Sequence, residues 1–186
     1  MGEPPAASAL AGVVIEELSP DDWQRARAIR LACLKDAPYA FGSTYEEEVQ
    51  QPQEWWRKRL VDGRWFIARQ AERDLSVAML IHGPLPETFS SNGALNMDLE
   101  ASYPWIRSVF TVPEARGRKL VDLLCLHLCD LVATQGHQIM VLGVRQGNDR
   151  AHAAYLRMNF IDIGTFVPTS APAEMANHLM ARVTST

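Results

Sequence analysis

Trp105-Ile106-Arg107-Ser108-Val109-Phe110-Thr111-Val112 is rich in β-branched and aromatic residues and stops at Pro113; Glu114-Ala115-Arg116-Gly117-Arg118-Lys119 then opens an apolar helical pattern reaching about Thr134. A strand that feeds a tight basic turn and a helix start is built to hold an anion. The first amides of a helix have no intrahelical partner, the macrodipole favours negative charge beside them, and Arg116, Arg118 and Lys119 add full positive charges. The expected occupant carries phosphate.

Downstream, Gln135-Gly136 closes the helix with a glycine suited to a left-handed C-cap, and Gln138 to Arg145 reads as a strand. Asn148 caps a further helix that stops at Asn159, a residue that tolerates the left-handed region. Ile161 to Val167 and His178 to Val183 read as two antiparallel strands joined by a Pro-containing connection.

Upstream, Val13 to Leu18 is a first strand and Ser19-Pro20-Asp21-Asp22 a helix start, followed at helical spacing by Trp23, Ala26, Ile29 or Arg30, and Cys33, with the end near Lys35. Pro52 starts a helix over Gln53 to Val61, where adjacent Trp55 and Trp56 cannot both face inward. Trp65 to Gln70 and Leu75 to Ile81 form a hairpin around Glu72-Arg73-Asp74, ending at Gly83-Pro84. From Pro84 to about Glu100 no periodicity survives, which fits disorder, a lid or a partner contact, with disorder the simplest expectation.

Several of these segments resemble the GNAT superfamily of acyl-CoA-dependent N-acetyltransferases. The resemblance rests on Val112-Pro113-Glu114-Ala115-Arg116-Gly117-Arg118, on Ile139-Met140-Val141-Leu142-Gly143-Val144, and on Asn148-Asp149-Arg150-Ala151 with Tyr155 and Asn159-Phe160. Ala37-Pro38-Tyr39-Ala40-Phe41-Gly42-Ser43-Thr44 and its Glu46-Glu47-Glu48 run look like the loop after the first helix in small members. The resemblance implies one α/β (α+β) GNAT-like domain: a mixed central sheet of six to seven strands flanked by about four helices, with the fourth and fifth strands splayed.

It further implies acetyl-CoA as co-substrate, its pantetheine arm paired with backbone of Phe110, Thr111 and Val112. Its diphosphate would lie on Arg116, Gly117, Arg118, Lys119, Leu120, Val121 and Asp122, with Asn148 also touching it. Tyr155 matches the family's general acid for the departing thiolate. The family pattern Arg/Gln-x-x-Gly-x-Gly/Ala is broken here by Lys119 and Val121. Lys119 can offer its ammonium if its backbone stays helical, whereas Val121 either narrows the site or turns into the core. Binding that fails at these two positions would make the chain a degenerate member with another ligand, another chemistry or an interaction role. Members that acetylate protein N-termini carry Glu where this chain has Gly143, so the implied acceptor is a small-molecule amine. Asp98, Glu100 and His152 are weak candidates for the base.

Tyr39, Phe41 and Tyr45 are substrate-wall candidates, or equally plugs for the end of the core, and one of Glu46, Glu47 and Glu48 can attract a cationic amine, although a solvated face is the commoner use of such a run. A length of 186 residues fits one domain, read as 12–186 after a mobile N-terminus over 1–11. The net charge of −4 argues against nucleic-acid binding. No apolar run has membrane-spanning length and no leader is evident, so the expected address is cytoplasmic. A homodimer is an allowed assembly. Cys125, His127 and Cys129 lie on one apolar stretch where Cys serves as a small hydrophobe, so no metal site is assigned.

Overall fold

The computed structural model describes residues 10–168 and 176–184. Of the stretch expected to be mobile only residues 10 and 11 are described, and most of the Pro-containing connection between the last two strands lies outside the described residues. Among the described residues eight strands form one mixed sheet: β1 (Val13–Leu18), β2 (Arg64–Gln70), β3 (Arg73–Gly83), β4 (Ser90–Ser91), β5 (Tyr103–Thr111), β6 (Ile139–Arg145), β7 (Ile161–Phe166) and β8 (Asn177–Val183). Their order is β1-β2-β3-β5-β6-β8-β7-β4. Five helices accompany them: α1 (Trp23–Asp36), α2 (Tyr45–Val49), α3 (Gln53–Asp62), α4 (Leu120–Thr134) and α5 (Asp149–Arg157). The mixed α/β architecture is the expected one, with one strand and one helix more than the sequence suggests. The extra helix is the short α2, which a reciprocal cap holds: Glu47 N–H donates to Thr44 Oγ1 at 3.3 Å and Thr44 N–H to Glu47 Oε2 at 2.9 Å.

Two compact units divide the chain, and β3, β5 and α4 contribute to both. In the first, β1 pairs antiparallel with β2 from Val13↔Gln70 to Leu18↔Trp65. Trp56 and Trp65 are fully buried, while Trp55 stands edge-on to Trp56 and stays half-buried. Two adjacent helical positions point about 100° apart, so one core cannot take both rings.

In the second unit the parallel register of β5 with β6 covers Trp105↔Val141 and Ile106↔Leu142. β8 lies antiparallel to β6 and β7, with a bulge between Asp162 and Gly164. The segment after Pro84 departs from the simplest expectation. Leu85 is buried, and Phe89, Leu95 and Met97 pack on a cluster of Tyr103, Trp105, Val141, Ile163, Leu179 and Ala181. β4 inside it pairs with β7, Ser90↔Thr165 and Ser91↔Gly164. Four spaced apolar side chains and a two-residue ladder hold it on the sheet, and none of them makes a periodic pattern.

Gly164 makes that ladder sterically feasible. Its φ is +151°, and a Cβ there would stand 2.1 Å from the Ser90 carbonyl oxygen. Gly164→Ala is therefore expected to lose about 2–3 kcal/mol of stability. In hydrogen exchange, residues 85–97 should lose protection more than β1 and β2 do; uniform loss would disconnect Gly164 from this segment.

Candidate functional site

The turn after β5 is shaped by its backbone. Ala115 N–H donates to Val112 O at 3.0 Å and Arg116 N–H to Pro113 O at 3.3 Å, one tight turn that ends where Arg116 becomes extended. Gly117 then takes φ +80° and Lys119 φ +60°. The helix begins one residue later, and its first bond runs from Leu123 N–H to Lys119 O at 3.1 Å. This corrects the expectation that Glu114 to Lys119 opens the helix. Amides of Leu120, Val121 and Asp122 precede that first bond, so the helix supplies no acceptor for them.

Lys119 is also corrected: its backbone is left-handed rather than helical. For a residue with a Cβ that conformation costs about 1–2 kcal/mol. It is the shape glycine adopts freely, at the position where the family pattern has glycine. The Lys119 side chain is exposed, Leu120 is buried and Val121 is half-buried on the first turn.

The basic cluster is less open than its composition suggests. Arg116 pairs with Asp36 and its Nε donates to Thr111 O at 3.3 Å. Arg118 donates to Gln70 Oε1 at 2.9 Å. Both guanidiniums are drawn to partners in their own unit.

Backbone at the end of β5 is partly engaged. Ser76 Oγ donates to Phe110 O at 2.7 Å, and Val112 N–H donates to Leu75 O at 2.9 Å. These groups therefore face β3. Strand alternation turns those of Val109 and Thr111 the opposite way, and the Thr111 carbonyl accordingly meets Arg116. Ser108 sits in the left-handed region at φ +53° within the strand, a kink that the sequence does not signal.

In the other unit, Asn148 caps α5, its side chain accepting from Ala151 N–H at 3.3 Å, as expected from its position. The helix stops at Asn159, φ +62°. Tyr155 is 7% exposed, with its ring edge-on to Phe160 at 5.9 Å between centroids.

The remaining candidates scatter. Tyr39 is 66% exposed, which excludes it as a plug for the core. Phe41 and Tyr45 are half-buried, and Lys35 Nζ stands 4.4 Å from the Tyr45 ring. Asp98 and Glu100 are exposed, and Asp98 Oδ1 caps its own turn by accepting from Glu100 N–H. His152 meets Asp162, at 2.8 Å from Nε2 to Oδ2. At Gly143 a Cβ would stand 2.8 Å from Cζ of Phe166, so the ring occupies the space a side chain would need. Cys125 and Cys129 are buried while His127 is exposed, and burial pushes the Cys129 thiol up to about 11.

Glu48 departs most from expectation. It is 2% exposed and accepts from Arg30 Nη2 at 2.9 Å, Arg59 Nη1 at 3.1 Å and Ser43 Oγ at 2.6 Å. It is not a solvated anion waiting for an amine but the centre of a buried cluster. Burial alone would raise its pKa; the bonds from Arg30 and Ser43 outweigh that and hold it below the ordinary 4.5.

The chain matches the model of the Acetyltransferase (GNAT) family over residues 23–160 and belongs to that family. No curated protein matches it. Among solved structures it is similar to a GNAT-family acetyltransferase from Streptococcus pneumoniae, at 13% identity and TM-score 0.68, covering 93% of this chain and 99% of that one. It is also similar to Arabidopsis thaliana NAA60 in complex with acetyl-CoA, at 14% identity and TM-score 0.65, covering 92% and 98%. A spermidine N-acetyltransferase SpeG chimera from Vibrio cholerae and hSSAT gives 16% identity and TM-score 0.62, covering 93% and 96%. At such identities the likeness is one of fold.

Because Glu48 is depressed when folded, its stabilisation is complete above the unfolded value of 4.5 and disappears as pH falls through the lower folded value. Glu48→Gln should cost roughly 3–5 kcal/mol at neutral pH in urea unfolding, by leaving buried Arg30 and half-buried Arg59 without their anion. The difference from the parent should shrink below pH 4.5. A pH-independent gap would remove the ion cluster as its cause.

Proposed function

We propose that the chain is an N-acetyltransferase that moves the acetyl group of acetyl-CoA to the amine of a small molecule by direct attack within a ternary complex. The observation that carries this reading is the left-handed Lys119 at the head of α4. A residue with a Cβ accepts that strain only where packing demands it, and the result is a turn of glycine-like shape with helix amides beyond it. Family membership supplies the chemistry that such a turn serves.

In this reading the diphosphate lies on amides of residues 117–122. The pantetheine arm pairs with the backbone of Val109 and Thr111, since groups of Phe110 and Val112 are engaged by Ser76 and Leu75. An amide on that outward side polarises the thioester carbonyl. The amine, having lost a proton to a base or water, attacks the carbonyl carbon; the C–S bond breaks and Tyr155 protonates the thiolate. Phe166 in the space beside Gly143 supports a small-molecule acceptor over a protein N-terminus, whose reading requires a carboxylate there.

Pairing of Arg116 with Asp36, together with the branched Val121, favours a second reading in which the fold is kept and acetyl-CoA binding is lost. Calorimetric titration separates the two. Micromolar binding of acetyl-CoA and CoA supports the transferase, and no heat supports the second reading. Lys119→Gly should keep affinity within about threefold, because backbone shape matters more than the ammonium; Lys119→Val, β-branched at positive φ, should weaken it about tenfold or more. The opposite ranking would assign recognition to the charge. Tyr155→Phe should lower turnover about a hundredfold with little change in acetyl-CoA affinity, and an unimpaired variant would remove Tyr155 from the mechanism.

A further inference from the structure

His152, Asp162 and His178 come from α5, β7 and β8, yet their ligand atoms all lie within 4.8 Å of one another. His152 Nε2 stands 2.8 Å from Asp162 Oδ2, and His178 Nδ1 stands 3.4 Å from Asp162 Oδ1. The two rings are 4.7 Å apart between centroids. We propose that these three side chains form a binding site for a divalent cation of the zinc class.

The fold makes the convergence specific. Asp162 is in register with Met180, and His178, two residues along β8, shares that sheet face. The bulge between Asp162 and Gly164 adds a residue to β7, and a bulge re-aims the side chains beside it. Asn92 Nδ2 donates to Asp162 O at 3.0 Å and fixes the backbone there. Arg182 donates to Met158 O and ties the end of α5 to β8. Backbone contacts therefore hold all three carriers before any ion arrives.

Chemistry of the donors points the same way. Two imidazoles and a carboxylate suit a borderline cation and leave at least one coordination position open. A tetrahedral ion with bonds of about 2.0–2.2 Å holds its donors roughly 3.4 Å apart, a spacing this cluster reaches by small side-chain adjustments. Were Asp162 there only to orient one imidazole, the second ring would have no reason to present its nitrogen to the same carboxylate. Side-chain exposures of 24%, 33% and 34% give an ion a route in. Bound there, it clips α5 to the β7–β8 hairpin.

The test uses the full chain without a purification tag in a buffer that does not chelate. Calorimetry with Zn²⁺ alone should give one ion per chain, and saturation should raise the Tm by roughly 5 °C. His178→Gln and Asp162→Asn should each weaken binding about tenfold or more. Co²⁺ should develop visible absorption bands that both variants lose. The pair His82→Ala and His137→Ala, which removes the 3.3 Å contact between two other imidazoles, should leave all of this unchanged. Circular dichroism verifies that each variant folds. No saturable binding, or binding that survives in the folded Asp162→Asn and His178→Gln proteins, overturns the proposal.

Discussion

The chain must pass from β5 into α4 without covering the first amides of that helix. Arg116, Gly117 and Lys119 meet this constraint with an extended residue followed by two left-handed ones, so that the helix starts at Leu120 rather than running on from the turn at Pro113. A helix begun five residues earlier would bond those amides internally and leave no anion site. The cost is a lysine in a conformation that glycine holds freely.

Electrostatics around the turn distribute work between side chain and backbone. Arg116 and Arg118 are drawn to Asp36 and Gln70, which fixes the turn to its own unit and diverts their charge from a ligand. Elsewhere in that unit Arg30 and Arg59 converge on Glu48, and Arg25 bridges Glu16 and Asp74 at 2.9 and 2.7 Å. Arginine suits this work because its planar fork serves two acceptors at once. Arg116 and Arg118 of the motif thus act as fasteners.

Local chemistry explains what the sequence discloses. The strand before Pro113, the Ser19 and Asn148 caps, the left-handed stops at Gly136 and Asn159, and the parting of Trp55 from Trp56 are all set by neighbours within a few residues. Features decided by distant partners stay hidden. The segment 84–100 is ordered by β7, some seventy residues away, and the role of Glu48 depends on Arg30 and Arg59, which lie on two different helices. The cluster of His152, Asp162 and His178 crosses three elements and a bulge, and no spacing in the sequence announces it. A positive φ at Ser108 or Lys119 is equally silent, because neither residue type asks for it.

Gly143 and Phe166 are joined by one further long-range contact of this kind. The ring of Phe166 leans edge-on toward Trp105, 6.3 Å between centroids, and fills the space above Gly143. Position 143 is itself exposed, but a side chain there would first have to move the tip of that ring, which stands where its Cβ would go. The two positions are therefore coupled by packing, and a larger residue at 143 requires that the Phe166 ring move or be replaced.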